Sequence, residues 1–337
     1  MIKYKYSAND ASLMTPFLYR FFLVPMLKIV PYQIPANFIT IISNSCVLVS
    51  FFIAWHGYHR GDFFLYSLIP FLCFAYIVGD CFDGIQARRT GTSSPLGEYF
   101  DHFLDSFVTG LLTGTLLLSL RSRHWLILIF PYQALYLGQI GAFWERAKTG
   151  TISFAKVSTS EGVMTIAIGA FLASCAFMRP FVACYVIFGL SLLDFVLLTC
   201  FFFAGVAGIK AFLVVKIFSF PLILHVFFSS FITFLCVYFG YSIFFITIIT
   251  TFYNAFFISP ILSSISTGTP EAYPDSFIPI SFLFCYFYPD SCFLISVLQL
   301  AYLSMRVLIR FLIFLHKNRQ YWVWCNKECK DMNLLAE

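Results

Sequence analysis

The chain has 337 residues, 60% of them hydrophobic and only 11% charged, with a mean hydropathy of +0.85. Soluble domains carry about 25% charged residues, so water is excluded as the main solvent of this chain. The formal net charge of +5 comes with no nucleic-acid motif, and the eleven cysteines include no C-x-x-C pair, which argues against nucleic acid as a partner and against a thiolate metal module.

In chain order, residues 12–30 set Leu13, Phe17, Leu18, Phe21 and Phe22 beside Arg20 and Lys28, the pattern of an amphipathic helix lying in the membrane interface. Pro25, Pro31 and Pro35 interrupt this stretch and argue against a cleaved signal. Apolar runs long enough to cross a hydrocarbon core then recur at roughly 38–56, 63–82, 100–120, 124–144, 162–179, 182–206, 213–239, 242–262, 275–289 and 291–314. The ninth is short and carries Pro279, which points to a broken, tilted or re-entrant segment. The fold class predicted is all-α, a polytopic transmembrane bundle of about ten spans with an N-terminal interfacial helix. Its expected divisions are a cytoplasmic N-terminus with that helix (1–36), a catalytic membrane domain (37–210), C-terminal transmembrane helices (211–316) and a cytoplasmic tail (317–337).

Lysine and arginine gather on one side of this arrangement, from Lys3 and Lys5 through Arg88, Arg89, Arg146 and Lys148 to Lys317 and Lys330. The opposite side holds only Arg60, Arg121, Arg123 and Arg179, so the positive-inside rule puts both termini in the cytoplasm. Arg306 and Arg310 fall in the inner half of the last span and are expected to snorkel inward.

Carboxylates in a membrane are functional suspects, because inserting a charge costs about 2.5–3.5 kcal/mol. Asp80, Asp83, Gly84 and Ala87 follow the spacing of one helix face; Gly97, Asp101 and Asp105 follow it on the next helix. A turn with Gly91, Ser93, Ser94 and Pro95 folds the two helices antiparallel and brings four carboxylates together. Their mutual repulsion calls for cations, and all-oxygen ligation suits two Mg²⁺ or Mn²⁺ ions held by Asp80, Asp83, Asp101 and Asp105. Gly84 and Ala87 leave space for a nucleotide, and Arg88 is placed to neutralise phosphate. A plain capping loop does not require eight specified residues, for which chance agreement is on the order of one in 10^10.

That string, D-x-x-D-G-x-x-A-R-x8-G-x3-D-x3-D from Asp80 to Asp105, resembles the signature of the CDP-alcohol phosphatidyltransferase class-I family without gap or substitution. The resemblance implies two divalent ions on a donor diphosphate and Asp105 as general base. Further stretches resemble the choline/ethanolamine phosphotransferase branch: Tyr4 to Ser7, Pro35 to Thr40, Gln86 to Thr90, Ser93 to Glu98, Thr149-Gly150 and Glu161-Gly162. After about residue 215 the likeness is one of hydropathy alone. Ile85 and the Phe103-Leu104 pair depart from that branch and bear on headgroup choice. The branch implies CDP-choline or CDP-ethanolamine as donor, diacylglycerol as acceptor, membrane lipids as surroundings, a homodimer, and the endoplasmic reticulum if the source is eukaryotic.

His102 and Glu161 rival Asp105 as the base, since a carboxylate bound to a cation is weakly basic. On sequence, His102 reads equally as an orienting group and Glu161 as a helix N-terminal acid. Asn37 and Thr40, on the same side as the aspartates, read as nucleotide contacts or as a helix cap; Gly97 lies within the motif itself. Asp194 and His225 are lone polar groups expected to find a hydrogen bond within the bundle. The alternative functions are a CDP-diacylglycerol-dependent enzyme with a soluble acceptor such as inositol, and more remotely a cation transporter. Ten spans and the Gln86 to Thr90 wording argue against the first; the crowding of the acids on one helix pair argues against the second.

Overall fold

The computed structural model describes residues 8–61, 64–121, 124–154, 159–175, 185–187, 189–215, 219–268 and 272–319. The Tyr4 to Ser7 stretch, Arg123, Arg179 and Lys330 lie outside the described residues. The fold is all-helical, with helices α1 (Ala36–Arg60), α2 (Ile69–Arg89), α3 (Pro95–Leu120), α4 (Trp125–Thr149), α5 (Thr159–Ser174), α6 (Leu192–Val215), α7 (Phe220–Tyr238), α8 (Ile243–Thr267), α9 (Phe277–Phe287) and α10 (Cys292–Lys317). Among the described residues eight helices are long and apolar enough to cross a membrane, while α5 and α9 are shorter. At 11 residues α9 reaches about 16 Å, half a hydrocarbon core, in line with the broken segment that Pro279 foretells.

The sixth element differs from expectation. Residues Tyr185–Ile187 and Leu190–Ser191 form a short antiparallel pair turned at Gly189, and the helix starts only at Leu192 and runs on to Val215. Asp194 therefore sits in the first turn and not deep in a span. Its Oδ2 accepts from Ser191 N at 2.9 Å while its own N–H donates to Ser191 Oγ at 3.1 Å, a reciprocal cap that stops the chain from extending the helix backwards.

Helices α3 and α8 are the axis of the bundle, with the largest share of their length buried. Helix α3 packs on α1, α4, α5 and α8. The α3–α8 approach is close because Gly110 faces Thr251 and Gly114 faces Thr247: a Cβ at Gly110 would overlap the Thr251 hydroxyl. Small residues of this kind let membrane helices approach where hydrophobic burial gives little net attraction. His225 is buried against α8, stacked on Phe257 at 3.8 Å and paired with Asn254 Oδ1 at 3.0 Å, the intramembrane hydrogen bond expected of it.

Arg306 and Arg310 do not simply snorkel. Arg306 pairs with Asp275 at 3.4 Å and donates to the Tyr302 hydroxyl at 2.7 Å; Arg310 donates to the Phe256 carbonyl and lies 3.4 Å over the Phe256 ring. A partner within the protein satisfies each guanidinium at lower cost than reaching the water layer.

The N-terminal segment runs back over the end of this bundle where α2 gives way to α3. Strand β1 (Ala8–Asp10) pairs in parallel with β2 (Ile152–Phe154), and helical turns Thr15–Leu18, Tyr19–Leu23 and Val24–Ile29 follow. Leu18 and Leu23 are buried whereas Leu13, Phe17, Phe21 and Ile29 are exposed, leaving an apolar face for lipid. Gln86 Nε2 donates to the Pro31 and Ile34 carbonyls at 3.0 and 2.9 Å. Arg89 donates to Val30 O at 2.9 Å and stacks 3.5 Å over Tyr32. The link from that helix to α1 is thereby pinned to α2.

Candidate active site

Helix α2 ends at the Thr90–Ser94 turn, and Ser94 starts α3 as an N-cap whose hydroxyl accepts from Gly97 N at 3.1 Å. The return sets the last turns of α2 facing the first turns of α3 across a cavity, so that they meet through side chains such as Tyr76 and Asp105. Asp80, Asp83, Asp101 and Asp105 thereby line one cavity of about 1250 Å³ together with Asn37, Gly84, Ala87, Arg88, Gly97 and His102. Of the residues expected at the site, Glu161 alone does not line it, although its neighbours Ser160 and Gly162 do.

Each acid has a defined setting. Thr40 Oγ1 donates to Asp83 Oδ2 at 2.5 Å, which gives Thr40 a carboxylate to hold in place of a helix end to cap. Tyr76 donates to Asp105 Oδ1 at 3.0 Å. His102 is buried with its ring 5.1 Å from Phe143, and its Nδ1 stands 3.7 Å from both Asp101 Oδ2 and Asp105 Oδ2. Glu161 Oε1 accepts from Ser12 Oγ at 2.7 Å and Met14 N at 2.9 Å, so this carboxylate tethers the N-terminal segment to α5. A Cβ built at Gly84 would meet nothing nearer than the Arg88 guanidinium at 3.5 Å; the helix surface there is open toward the cavity, with Arg88 at its edge.

The donor set suits a hard divalent cation. Ligand atoms of Asp101, His102 and Asp105 come within 4.8 Å of one another. Among the described residues Asp101 Oδ1 is buried with no hydrogen-bond partner, an arrangement that leaves a full desolvation penalty unless a cation answers it. Carboxylate oxygens are the ligands that Mg²⁺ and Mn²⁺ prefer.

Three contributors escaped the sequence reading. Tyr76 sits one turn before Asp80 and continues the 76-80-83-87 face, a spacing that could have flagged it. Glu98 forms a buried pair with Arg146 of α4, Nε to Oε1 at 2.7 Å and Nη2 to Oε2 at 3.1 Å; nothing local announces a contact across 48 residues. Gln139, also of α4, lines the cavity.

Part of the chain is similar in sequence to known proteins. The chain is 31% identical over 194 residues to "Uncharacterized CDP-alcohol phosphatidyltransferase class-I family protein 3" of Dictyostelium discoideum, covering 54% of this chain and 48% of that one. It is 32% identical over 182 residues to Choline/ethanolaminephosphotransferase 2 of Arabidopsis thaliana (50% and 44%). With Cholinephosphotransferase 1 of Homo sapiens it shares 29% over 171 residues (47% and 40%). The matched region spans about half the length of these relatives. Residues 33–191, the region that holds α1 to α5 and all four aspartates, match the CDP-alcohol phosphatidyltransferase family.

Proposed function

We propose that this protein transfers phosphocholine or phosphoethanolamine from CDP-choline or CDP-ethanolamine to diacylglycerol, releasing CMP. The observation that carries the reading is a single cavity with two characters. The end near the helix termini is lined by Asn37, Arg88, Ser93 and the four aspartates, and residues farther along α3, α4 and α6, such as Leu112, Leu135 and Phe201, make the rest of its lining apolar. A polar nucleotide and an apolar alcohol can both reach the carboxylates from opposite ends.

Asp80, Asp83, Asp101 and Asp105 would hold the two Mg²⁺ or Mn²⁺ ions, which when bound neutralise charge on the donor diphosphate. The remaining work belongs to side chains. Arg88 draws a phosphate oxygen toward the open surface at Gly84 and Ala87, and Asn37, whose Oδ1 faces Gly97, bounds the nucleotide end. Tyr76 and Thr40 hold Asp105 and Asp83 in place. As the acceptor hydroxyl attacks phosphorus and the bond to CMP breaks, its proton passes to Asp105, with His102 beside the Oδ2 oxygen as the orienting group. Glu161 acts at one remove, by fastening the N-terminal segment over the cavity.

The relatives' names support the donor pair, and the distribution of basic residues supports a cytoplasmic site and termini, with the endoplasmic reticulum and a homodimer part of the same reading. The test is CMP release and lipid formation by purified protein given diacylglycerol, Mg²⁺ and either donor, with Asp83→Asn and Asp105→Asn beside the unaltered chain. Product that depends on both aspartates supports the reaction. Product only from CDP-diacylglycerol and a soluble alcohol overturns the substrate assignment.

A further inference from the structure

Helix α4 carries two glutamines in its middle, and they differ. Gln133 is satisfied at both ends: its Nε2 donates to Thr233 Oγ1 at 2.9 Å and its Oε1 accepts from Ser230 at 3.2 Å. Gln139 lines the cavity, and its Oε1 is buried with no hydrogen-bond partner among the described residues. A buried carbonyl oxygen left unpaired in a membrane protein is costly, and inside a substrate cavity it marks a place for a donor on the ligand.

Its level in the bundle is fixed by its neighbours. One turn before it, Tyr136 donates to the Ser106 carbonyl of α3 at 3.0 Å; one turn after it, Phe143 packs on His102 at 5.1 Å. Gln139 therefore lies between contacts to residues 102 and 106, level with Asp105, in the apolar arm of the cavity.

That arm has a side opening. Helix α5 packs on α2 and α3, whereas α6 packs on α4. Both helices line the cavity, and Thr165 of α5 and Cys200, Phe203 and Ala207 of α6 do so while also being exposed on the bundle surface. The cavity wall between α5 and α6 is thus open to the hydrocarbon layer.

We infer that Gln139 recognises the free hydroxyl of the acceptor lipid, accepting its O–H at Oε1, and that this lipid reaches it through the gap between α5 and α6. The inference rests on the acceptor reading above and adds a positioning residue and a route to it. A leucine at position 139 keeps the volume and removes the acceptor; a tryptophan at position 207 narrows the gap without touching the carboxylates.

Steady-state kinetics with both substrates varied, on the purified full chain, test the residue. Gln139→Leu raises the KM for diacylglycerol about three- to ten-fold, the worth of one hydrogen bond, while the KM for the CDP-alcohol stays within two-fold. Equal movement of both KM values, or of neither, overturns the role of Gln139. Photo-crosslinking with a diazirine diacylglycerol, which needs no turnover, tests the route. Label competed by unlabelled diacylglycerol appears on Thr159–Ser174 and Leu192–Val215 and falls at least three-fold in Ala207→Trp. Competed label elsewhere in the chain, or none, refutes the route. An active CMP-release reaction with these results absent sinks this inference alone, whereas specific crosslinking without CMP release sinks the proposed reaction and leaves the lipid site standing.

Discussion

The Glu98–Arg146 pair offers the sharpest energetic prediction. Both side chains are almost fully buried, at 6% and 4% exposure, and are joined by two hydrogen bonds of 2.7 and 3.1 Å. Arg146 Nη1 also donates to the Gly150 carbonyl, closing the end of α4. Removing one member of such a pair strands the other charge in low dielectric and costs about 3–5 kcal/mol. Here the stranded group is a carboxylate in a cavity that already holds four, so Arg146→Met belongs at the upper end. Removing the residual charge as well, in Glu98→Gln/Arg146→Met, recovers most of the loss, because replacing both partners is often close to neutral. The assay is reversible unfolding of the detergent-solubilised protein by SDS, followed by circular dichroism, for all four members of the double-mutant cycle. A coupling below about 0.5 kcal/mol, as for surface ion pairs, would refute the account of a desolvated pair.

Other expectations follow from single contacts. Gly84→Ala, whose new methyl meets only the Arg88 guanidinium, leaves SDS stability unchanged and raises the KM for the CDP-alcohol by about ten-fold, measured by CMP release. Gly110→Ala forces a methyl into the Thr251 hydroxyl and within 2.6 Å of the Tyr136 hydroxyl; it destabilises by about 1–3 kcal/mol, and adding Thr251→Ala restores part of that in the same titration. Tyr76→Phe removes the 3.0 Å hydrogen bond that steadies Asp105 and lowers kcat by roughly three- to ten-fold with the donor KM unchanged. Chelation with EDTA abolishes CMP release, and either Mg²⁺ or Mn²⁺ restores it.

The fold class was legible because membrane spans are written in runs of apolar residues, and the site because its aspartates repeat at helical spacing on two adjacent helices. Short-range chemistry located Asp80, Asp83, Asp101 and Asp105 from sequence, and the Ser94 cap that turns α2 into α3 is equally local. Contacts between distant helices were not legible. The Thr40–Asp83 hydrogen bond spans 43 residues and the Glu98–Arg146 pair spans 48; each depends on how α1 and α4 rotate about their axes, which hydropathy leaves undetermined. The late start of α6 was hidden for another reason. Residues 182–191 are as apolar as a span, and only the Ser191–Asp194 reciprocal cap marks the boundary. Likewise, hydropathy alone gave Arg306 and Arg310 no partner, while Asp275 supplies one to Arg306 and the Phe256 carbonyl one to Arg310.

On the proposed reaction, the placement of the acids along their helices lets a water-soluble donor and a lipid acceptor meet. Asp83 lies six residues before Arg89, the end of α2, and Asp101 six after Pro95, the start of α3, so both sit about 9 Å from the helix ends that flank the Thr90–Ser94 turn. Asp80 and Asp105 are nine and ten residues in, about 14 and 15 Å deep. Four carboxylates at that depth are tolerable only where water or cations reach them, and the Arg88, Ser93 and Asn37 end of the cavity gives that access. Were the acids placed one turn nearer the surface, the acceptor would have to leave the hydrocarbon layer; one turn deeper, the nucleotide would have to cross into it. The spacing from Asp80 to Asp105 thus sets the depth of the reaction as well as its ligands, and a one-turn insertion between Ser94 and Gly97 would separate the two functions of the cavity while leaving its helices able to fold.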